Sequence, residues 1–265
     1  MVIGEDYVIK ADSMLSYNET KASLILQQIP QINDCEISGY PTSPAPVVKW
    51  YFEKYPTGGK RRCVFLHGVG QEFNIGVVDS FTDYWGDVND YVKDLCTDIK
   101  FLIADTKLYG WTNHTLQQQY CTAAIGKPFS QQSVIVDTII FTHSMGNLVL
   151  AGALQNGYCS LGQNSYWFDS QGPILGSPLP YFLYQFCSFP LLPSGWKTDP
   201  ESLIGSYCQG NSIYPAYTTM IPASFNNGNI NLNTLPSIVQ KYVSGVMCGT
   251  QPWSSLGPTK ENAGL

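Results

Sequence analysis

The sequence is short of charge and of histidine. Charged residues make up 13% of its 265 positions and the net charge is −6, whereas roughly 25% of a typical domain is charged. An acidic chain lacks the basic face that phosphate binding requires, so nucleic acid is excluded as a partner. Only three histidines are present, which leaves few candidates for a metal ligand or a general base.

Long apolar runs and closely paired cysteines are also absent. No run approaches the about 18 residues that a membrane span needs, and the richest one, residues 145–154, is interrupted by Asn147. No C-x-x-C pair occurs, which argues against zinc and thioredoxin-like sites. Aromatic side chains, by contrast, form 13% of the sequence, and this proportion excludes a disordered chain.

The eight cysteines favour an oxidising compartment. They are spread singly along the chain, as structural disulfides usually are: Cys35, Cys63, Cys96, Cys121, Cys159, Cys187, Cys208 and Cys248. Eight cysteines allow on the order of 100 pairings, so no pairing is assigned. Glycosylation sequons at Asn18 and Asn113 also fit secretion. The first residues do not form a signal peptide, so we expect the natural N-terminus to lie further upstream.

Strand and helix patterns alternate along most of the chain. Short apolar runs predict strands at 47–52, 62–66, 101–104, 138–141, 166–168 and 243–248. Helical spacing of apolar residues predicts helices at 79–96, 115–125, 146–154 and 235–242. The alternation predicts an α/β fold with a mostly parallel central sheet flanked by helices. We expect residues 1–45 to form an irregular extension to a domain at 46–265, in which residues 173–234 form a cap-like or lid-like insertion.

One stretch carries most of the functional signal. Residues 138–150 read T-I-I-F-T-H-S-M-G-N-L-V-L, which is close to the G-x-S-x-G pattern of a nucleophilic serine on a strained turn between strand and helix. The pattern makes Ser144 the candidate nucleophile, and Gly146 is small enough for the backbone to fold back closely. Thr142 stands in place of the first glycine, and we expect its β-branched side chain to add strain. The alternative is a serine in an ordinary turn.

A second motif lies upstream of the first. Residues 64–70 read V-F-L-H-G-V-G, a predicted buried strand that ends in His-Gly and small residues. Glycines at such a position let a substrate approach the backbone closely. We expect His67 to support this loop rather than to act as a catalytic base.

The chain resembles the lipases and esterases of the α/β-hydrolase superfamily. The L-H-G-V-G and T-H-S-M-G segments are similar to those of small microbial lipases, and residues 167–177 resemble a strand and loop of secreted lipase-like proteins of microbial eukaryotes. The resemblance covers residues 62–178. It implies an α/β-hydrolase-like fold and hydrolysis of a carboxylic ester through an acyl-enzyme on Ser144.

The same resemblance implies roles for the neighbouring groups. The oxyanion donors are the backbone N–H of Met145, directly after the nucleophile, and that of Val69, in the earlier loop. The supporting residues are His67, Gly68, His143 and Gly146. No cofactor is implied, and the expected partners are a lipid or other ester substrate and a lipid interface.

The catalytic triad is incomplete in this sequence. In the family, an acid and then a histidine follow the nucleophile, yet none of the three histidines follows Ser144. Asp169 is the candidate acid, with a loop-capping aspartate as the alternative. We expect the parent chain to continue beyond this sequence with the base and with the last strand and helix of the fold.

Three functions remain open from the sequence. The first is a secreted serine hydrolase of carboxylic esters. The second is a catalytically dead hydrolase-fold protein that binds lipids or esters, and the third is an acyltransferase or thioesterase that uses the same serine. The aromatic stretch 181–186 is either the lining of an acyl pocket or ordinary core beside a disulfide.

Overall fold

A computed structural model describes most of the central part of the chain. The described residues are 49–52, 59–128, 130, 133–188, 207–222, 225 and 232–248. The predicted extension at 1–45 lies outside them, as do part of the predicted insertion and the final residues of the sequence.

A seven-stranded sheet organises the described residues. Its strands are β1 (Lys49–Phe52), β2 (Arg61–Leu66), β3 (Gly76–Val78), β4 (Cys96–Ile103), β6 (Thr138–His143), β8 (Tyr166–Ser170) and β11 (Val243–Cys248). Across the sheet they lie in the order β1-β11-β8-β6-β2-β4-β3. The five inner strands are parallel, whereas β1 and β3 lie antiparallel at the two edges. Four further strands form two small pairs: β5 (Ser133–Ile135) with β7 (Cys159–Leu161), and β9 (Cys208–Gln209) with β10 (Ser212–Ile213).

Helices connect these strands and cover the sheet. They are α1 (Thr82–Trp85), α2 (Val88–Val92), α3 (His114–Ile125), α4 (Met145–Gln155), α5 (Pro178–Ser188), α6 (Pro215–Thr218) and α7 (Leu235–Tyr242), with a 3-10 turn at Leu232–Thr234. The predicted fold class, an α/β fold with a mostly parallel central sheet flanked by helices, is confirmed. None of the helices in the described part of the chain has the length and apolar content to cross a bilayer.

The single helix predicted at 79–96 is wrong. The segment instead forms α1 and α2, with a turn at Gly86 and Asp87 between them. It cannot stay helical to its end, because Cys96 already pairs with Arg61 in the sheet and is disulfide-bonded to Cys63. Phe81 and Trp85 do pack against one face of the sheet, whereas Tyr91 is exposed.

The core has two layers, one on each face of the sheet. Alternate residues of a strand point to opposite faces, so Val64, Leu66 and Ile140 pack into the larger core beneath α3 and α4. On the other face Phe65 and Phe141 stack with their ring centroids 4.6 Å apart, and α1 and α2 cover them. The inner strands are therefore buried on both sides, as continuous apolar runs predict.

Three disulfides connect the described elements. They are Cys63–Cys96, which joins β2 to β4, Cys121–Cys159, which joins α3 to β7, and Cys187–Cys208, which joins α5 to β9. Disulfides of this kind persist in oxidising compartments and are typical of extracellular proteins.

The described part of the predicted insertion at 173–234 is bonded to the connection between β4 and α3. The indole N–H of Trp111 donates to the carbonyl of Thr219 at 2.7 Å, and the N–H of Ala216 donates to the carbonyl of Lys107 at 3.2 Å. These bonds hold the segment beside the carboxyl ends of the inner strands, where the two predicted motifs also meet.

Candidate active site

The candidate nucleophile occupies a strained turn. Ser144 has φ 52° and ψ −129° between the end of β6 and the start of α4, a conformation that costs a residue with a Cβ on the order of 1–3 kcal/mol. Its N–H donates to the carbonyl of Ser170 at 2.9 Å. The side-chain amide of Asn147 donates to the carbonyls of both Ser144 and Ser170, at 3.1 and 3.2 Å. The surrounding bonds therefore hold the serine in this conformation.

Gly146 allows α4 to cross the end of β2. A Cβ at this position would lie 2.6 Å from the carbonyl oxygen of His67 and 2.8 Å from that of Leu66. Both atoms are backbone of a buried strand end and cannot rotate away. Only glycine lets the helix start at this depth, directly behind the serine.

The loop after β2 lies against Ser144, the candidate nucleophile, because Gly68 has no side chain. A Cβ on Gly68 would lie 2.7 Å from the Cβ of Ser144 and 3.0 Å from the carbonyl oxygen of His143. The structure thus brings the two sequence motifs together, with the half-buried Val69 following Gly68. Met145 is the first residue of α4, so its N–H has no acceptor within the helix and lies at the positive end of the helix dipole.

Thr142 contributes a buried hydroxyl at the position where the motif has glycine. The indole N–H of Trp167 donates to Thr142 Oγ1 at 2.6 Å. The hydroxyl in turn donates to the amide oxygen of Asn147 and lies 3.3 Å from the carbonyl of Phe168. Thr142 therefore orients Asn147, which holds the turn at Ser144, so the side chain that departs from the sequence pattern supports the candidate site.

Thr142→Val is expected to lower the free energy of unfolding by roughly 2–3 kcal/mol, because the Trp167 N–H and the Asn147 oxygen lose a buried partner. Thr142→Ser keeps the hydroxyl and should cost only about 1 kcal/mol for the lost methyl group. Urea denaturation of both variants measures the difference. Equal stabilities, or a more stable valine variant, would contradict this role.

His67 is buried and uses both ring nitrogens. The N–H of Ala104 donates to Nε2 at 3.0 Å, so the ring proton is on Nδ1, which donates to the carbonyl of Gly68 at 2.8 Å. Burial lowers the pKa of His67 to about 4, and the ring is neutral at physiological pH. Tyr120 donates its hydroxyl to the carbonyl of His67 at 2.5 Å.

His143 also has both ring nitrogens bonded, although it directly precedes the serine. The hydroxyl of Tyr84 lies 2.5 Å from Nδ1, and the side-chain oxygen of Gln171 lies 3.2 Å from Nε2. The Tyr84 oxygen accepts the N–H of Gly68 at 2.7 Å, so its own proton goes to Nδ1 and the ring proton is on Nε2. Burial lowers the pKa of His143 to about 4.

His114 lies at the other end of α4. It is exposed, and its Nδ1 lies 2.6 Å from the hydroxyl of Tyr158. The N–H of Tyr158 donates to the carbonyl of Ala153, in the last turn of α4. Eleven residues of α4, at about 1.5 Å each, separate this end from Ser144. The rings of His67 and His143 are thus bonded to other groups, and His114 is remote from Ser144. None of the three histidines is positioned to accept the Ser144 proton.

Asp169 lies at the end of β8, beside Thr142 in the sheet register. One carboxylate oxygen accepts the N–H of Gly172 at 2.9 Å, which is the bond that a loop-capping aspartate makes. Burial raises the pKa of Asp169 to about 7, because the charged form is poorly solvated there. Its role as the acid of a triad stays a prediction.

Asp169→Asn is expected to gain stability relative to the native protein as the pH rises from about 4 to about 7. Over this range the unfolded native chain has lost the Asp169 proton while the folded chain retains it, since the folded pKa is about 7 against 3.8 for the free group. Native stability therefore falls with pH, at a slope approaching about 1.4 kcal/mol per pH unit, and the asparagine variant lacks this loss. Urea denaturation at half-unit steps from pH 4.5 to 7.5 measures the difference. A difference that shrinks with pH would instead show a cation paired with the carboxylate.

Four residues of this site were missed by the sequence analysis: Tyr84, Thr106, Asn147 and Gln171. Thr106 offered a usable signal, because it is a polar residue shortly after the end of an inner parallel strand, where ligand-facing loops gather. Asn147 lies only three residues after Ser144, whereas Tyr84 and Gln171 contact the site only through the tertiary fold. Within the described residues, no group of three or more His, Cys, Asp or Glu side chains is arranged to hold a metal ion.

Comparisons with known proteins find only distant likenesses. No family profile matches the sequence, and no curated protein does. Among solved structures, the mature form of the Bacillus licheniformis lipase BlEst2 has 14% identity and a TM-score of 0.38, over 73% of this chain and 65% of that one. The propeptide form has 16% identity and a TM-score of 0.32, over 65% of this chain and 33% of that one. A Desulfitobacterium hafniense protein described as an α/β hydrolase has 14% identity and a TM-score of 0.26, over 74% and 72% of the chains.

The chain spans less than two thirds of the length of both lipase structures. At these identities and TM-scores, the likenesses say nothing about the activity of this chain.

Proposed function

We propose that the protein is a serine hydrolase of carboxylic esters that acts through an acyl-enzyme on Ser144. The observation that most supports this proposal is the strained backbone conformation of Ser144. The residue lies between the end of a buried parallel strand and a helix that starts at the next residue, Met145. Strain in a residue that the surrounding structure over-determines is typical of a functional group. An ordinary turn position would be filled by glycine or asparagine at lower cost.

The chemistry follows from the groups around the serine. Ser144 Oγ attacks the ester carbonyl carbon, its proton passes to a base, and the oxyanion accepts hydrogen bonds from the N–H groups of Val69 and Met145. The protonated base then gives its proton to the leaving oxygen, so the alcohol departs as the acyl-enzyme forms, and water hydrolyses the acyl-enzyme to release the acid and regenerate Ser144. The N-terminal end of α4 adds electrostatic stabilisation of the oxyanion.

The three histidines are not placed to act as the base. The ring nitrogens of His67 and His143 are already bonded, and His114 lies at the other end of α4. We therefore propose that a group other than these three histidines accepts the proton. Asp169 is proposed as the acid that would orient such a base, from the end of the neighbouring strand.

The same observation favours a second candidate function. A protein that keeps the nucleophile turn and the oxyanion donors but lacks a base would bind lipids or esters without turning them over. An acyltransferase or thioesterase would use the same serine with another acceptor or leaving group. The three disulfides support secretion as part of each of these proposals.

Ester turnover distinguishes these functions. The native protein and Ser144→Ala are assayed with p-nitrophenyl esters of increasing chain length, with and without added imidazole as an external base. We expect turnover that imidazole increases and that Ser144→Ala lowers by at least about 10³-fold. Saturable binding of the ester with no turnover, even with imidazole, would instead establish the binding protein. Product transfer to an added alcohol in preference to water would establish the acyltransferase.

A further inference from the structure

The peptide group between Gly68 and Val69 is held in place through its carbonyl, on the side opposite the Val69 N–H. Its carbonyl, that of Gly68, accepts the Nδ1–H of His67 at 2.8 Å and the hydroxyl of Thr106 at 2.7 Å. In a planar trans peptide the carbonyl and the following N–H point in opposite directions. Two donors on the Gly68 carbonyl therefore set the direction of the Val69 N–H.

Thr106 also holds this loop through three further hydrogen bonds, which it makes to the backbone of Gly70 and Gln71. Its Oγ1 accepts the N–H of Gln71 at 3.1 Å, and its own N–H donates to the carbonyl of Gln71 at 2.9 Å. Its carbonyl accepts the N–H of Gly70 at 3.3 Å. The side chain is fully buried, so these bonds are shielded from water and strengthened.

Tyr84 fixes the peptide group on the other side of Gly68. The Gly68 N–H donates to the Tyr84 oxygen at 2.7 Å, and the Tyr84 hydroxyl donates to Nδ1 of His143 at 2.5 Å. The chain of bonds ends where Nε2 of His143 donates to Gln171 at 3.2 Å. It links the loop after β2, the nucleophile turn and the loop after β8.

We propose that Thr106 and Tyr84 are positioning residues that together aim the Val69 N–H at the reacting carbonyl oxygen. Neither side chain needs to touch the substrate, because each acts on a peptide group of Gly68. This proposal rests on the proposed function of Ser144. Its physical basis is that an oxyanion donor is effective only when its direction is set before the charge develops.

Thr106 offers a closely matched pair of variants. Thr106→Val keeps the shape of the side chain and loses the hydroxyl, and we expect it to lower kcat by about 10- to 100-fold with KM within about twofold. Thr106→Ser restores the hydroxyl and should return kcat to within about threefold of the native value. A purely structural role would lower the melting temperature of both variants without this split between kcat and KM.

Tyr84→Phe provides an independent test, which also serves if Thr106→Val does not fold. It should lower kcat by about tenfold and leave KM nearly unchanged. Tyr158→Phe is the control, because it removes an equivalent hydroxyl away from the site. This hydroxyl lies 2.6 Å from Nδ1 of His114, and the kcat of the variant should match that of the native protein.

The outcomes separate this proposal from the proposed function. If the native protein shows no Ser144-dependent turnover, the proposed function fails and the positioning roles fail with it. If the native protein is active but Thr106→Val and Tyr84→Phe match it in kcat, only the positioning proposal is overturned. If their KM rises while kcat is kept, the two residues act on substrate binding, and the proposal is again overturned.

Discussion

Gly146→Ala is expected to lower the free energy of unfolding by roughly 3 kcal/mol, at the upper end of what overpacking costs. The added Cβ would lie 2.6 Å from the carbonyl oxygen of His67 and 2.8 Å from that of Leu66. Both oxygens belong to the backbone at the end of β2, so relief requires α4 to move away from the sheet. Such a movement also displaces Ser144, and we expect activity to fall with stability.

Gly152→Ala is the matched control for this prediction, because it lies in the same helix. Its added Cβ would lie 2.6 Å from the side-chain nitrogen of Gln117 and 3.2 Å from the Trp111 ring. Gln117 can shift, but it then gives up its bond to the Trp111 carbonyl, at a cost of about 1–3 kcal/mol. Alanine gains about 1 kcal/mol of helix propensity over glycine, so the net loss should stay below about 2 kcal/mol. Chemical denaturation of both variants gives the comparison, and a smaller loss for Gly146→Ala than for Gly152→Ala would contradict the packing described here.

Ser144→Gly is expected to abolish turnover and to stabilise the protein at the same time. Glycine adopts φ 52° and ψ −129° without the penalty that a Cβ brings, so the variant should gain about 1 kcal/mol or more. Turnover should fall by at least about 10³-fold, because the nucleophile is gone. Function and stability therefore oppose each other at this position.

Ser144→Ala separates the two effects. It removes the same hydroxyl and keeps the Cβ, so it should lose turnover equally without gaining stability. Thermal denaturation and ester hydrolysis of the two variants provide the measurements. If Ser144→Gly is no more stable than Ser144→Ala, the turn is not strained in the way the backbone angles indicate.

The central elements of the fold could be predicted from the sequence because their signals are local. Continuous apolar runs bounded by turns gave β2, β6 and β8, and helical spacing gave α3 and α4 within one or two residues at most ends. The segment at 79–96 was predicted wrongly, because aromatic residues at helical spacing do not show where a disulfide and a strand pairing end the helix. The short edge strand β3 has too few residues for a pattern.

The candidate site was only partly predictable, for a similar reason. Ser144 and Gly68 belong to short motifs that can be read in the sequence. The bonds that hold them cannot, because the bond between Tyr84 and His143 joins residues 59 positions apart and that between Thr106 and Gly68 joins residues 38 apart. The histidines show the same limit. Their order in the sequence indicated that none of them is the base of a triad, and only the structure showed that the rings of His67 and His143 are already bonded.

Covalent labelling tests most directly whether Ser144 is an activated nucleophile. The native protein is incubated with a fluorophosphonate, and its mass is measured before and after peptide mapping. We predict the addition of one phosphonyl group, located on the peptide that contains Ser144 and absent in Ser144→Ala. A folded native protein that gains no adduct, or that carries it on another residue, would contradict the account.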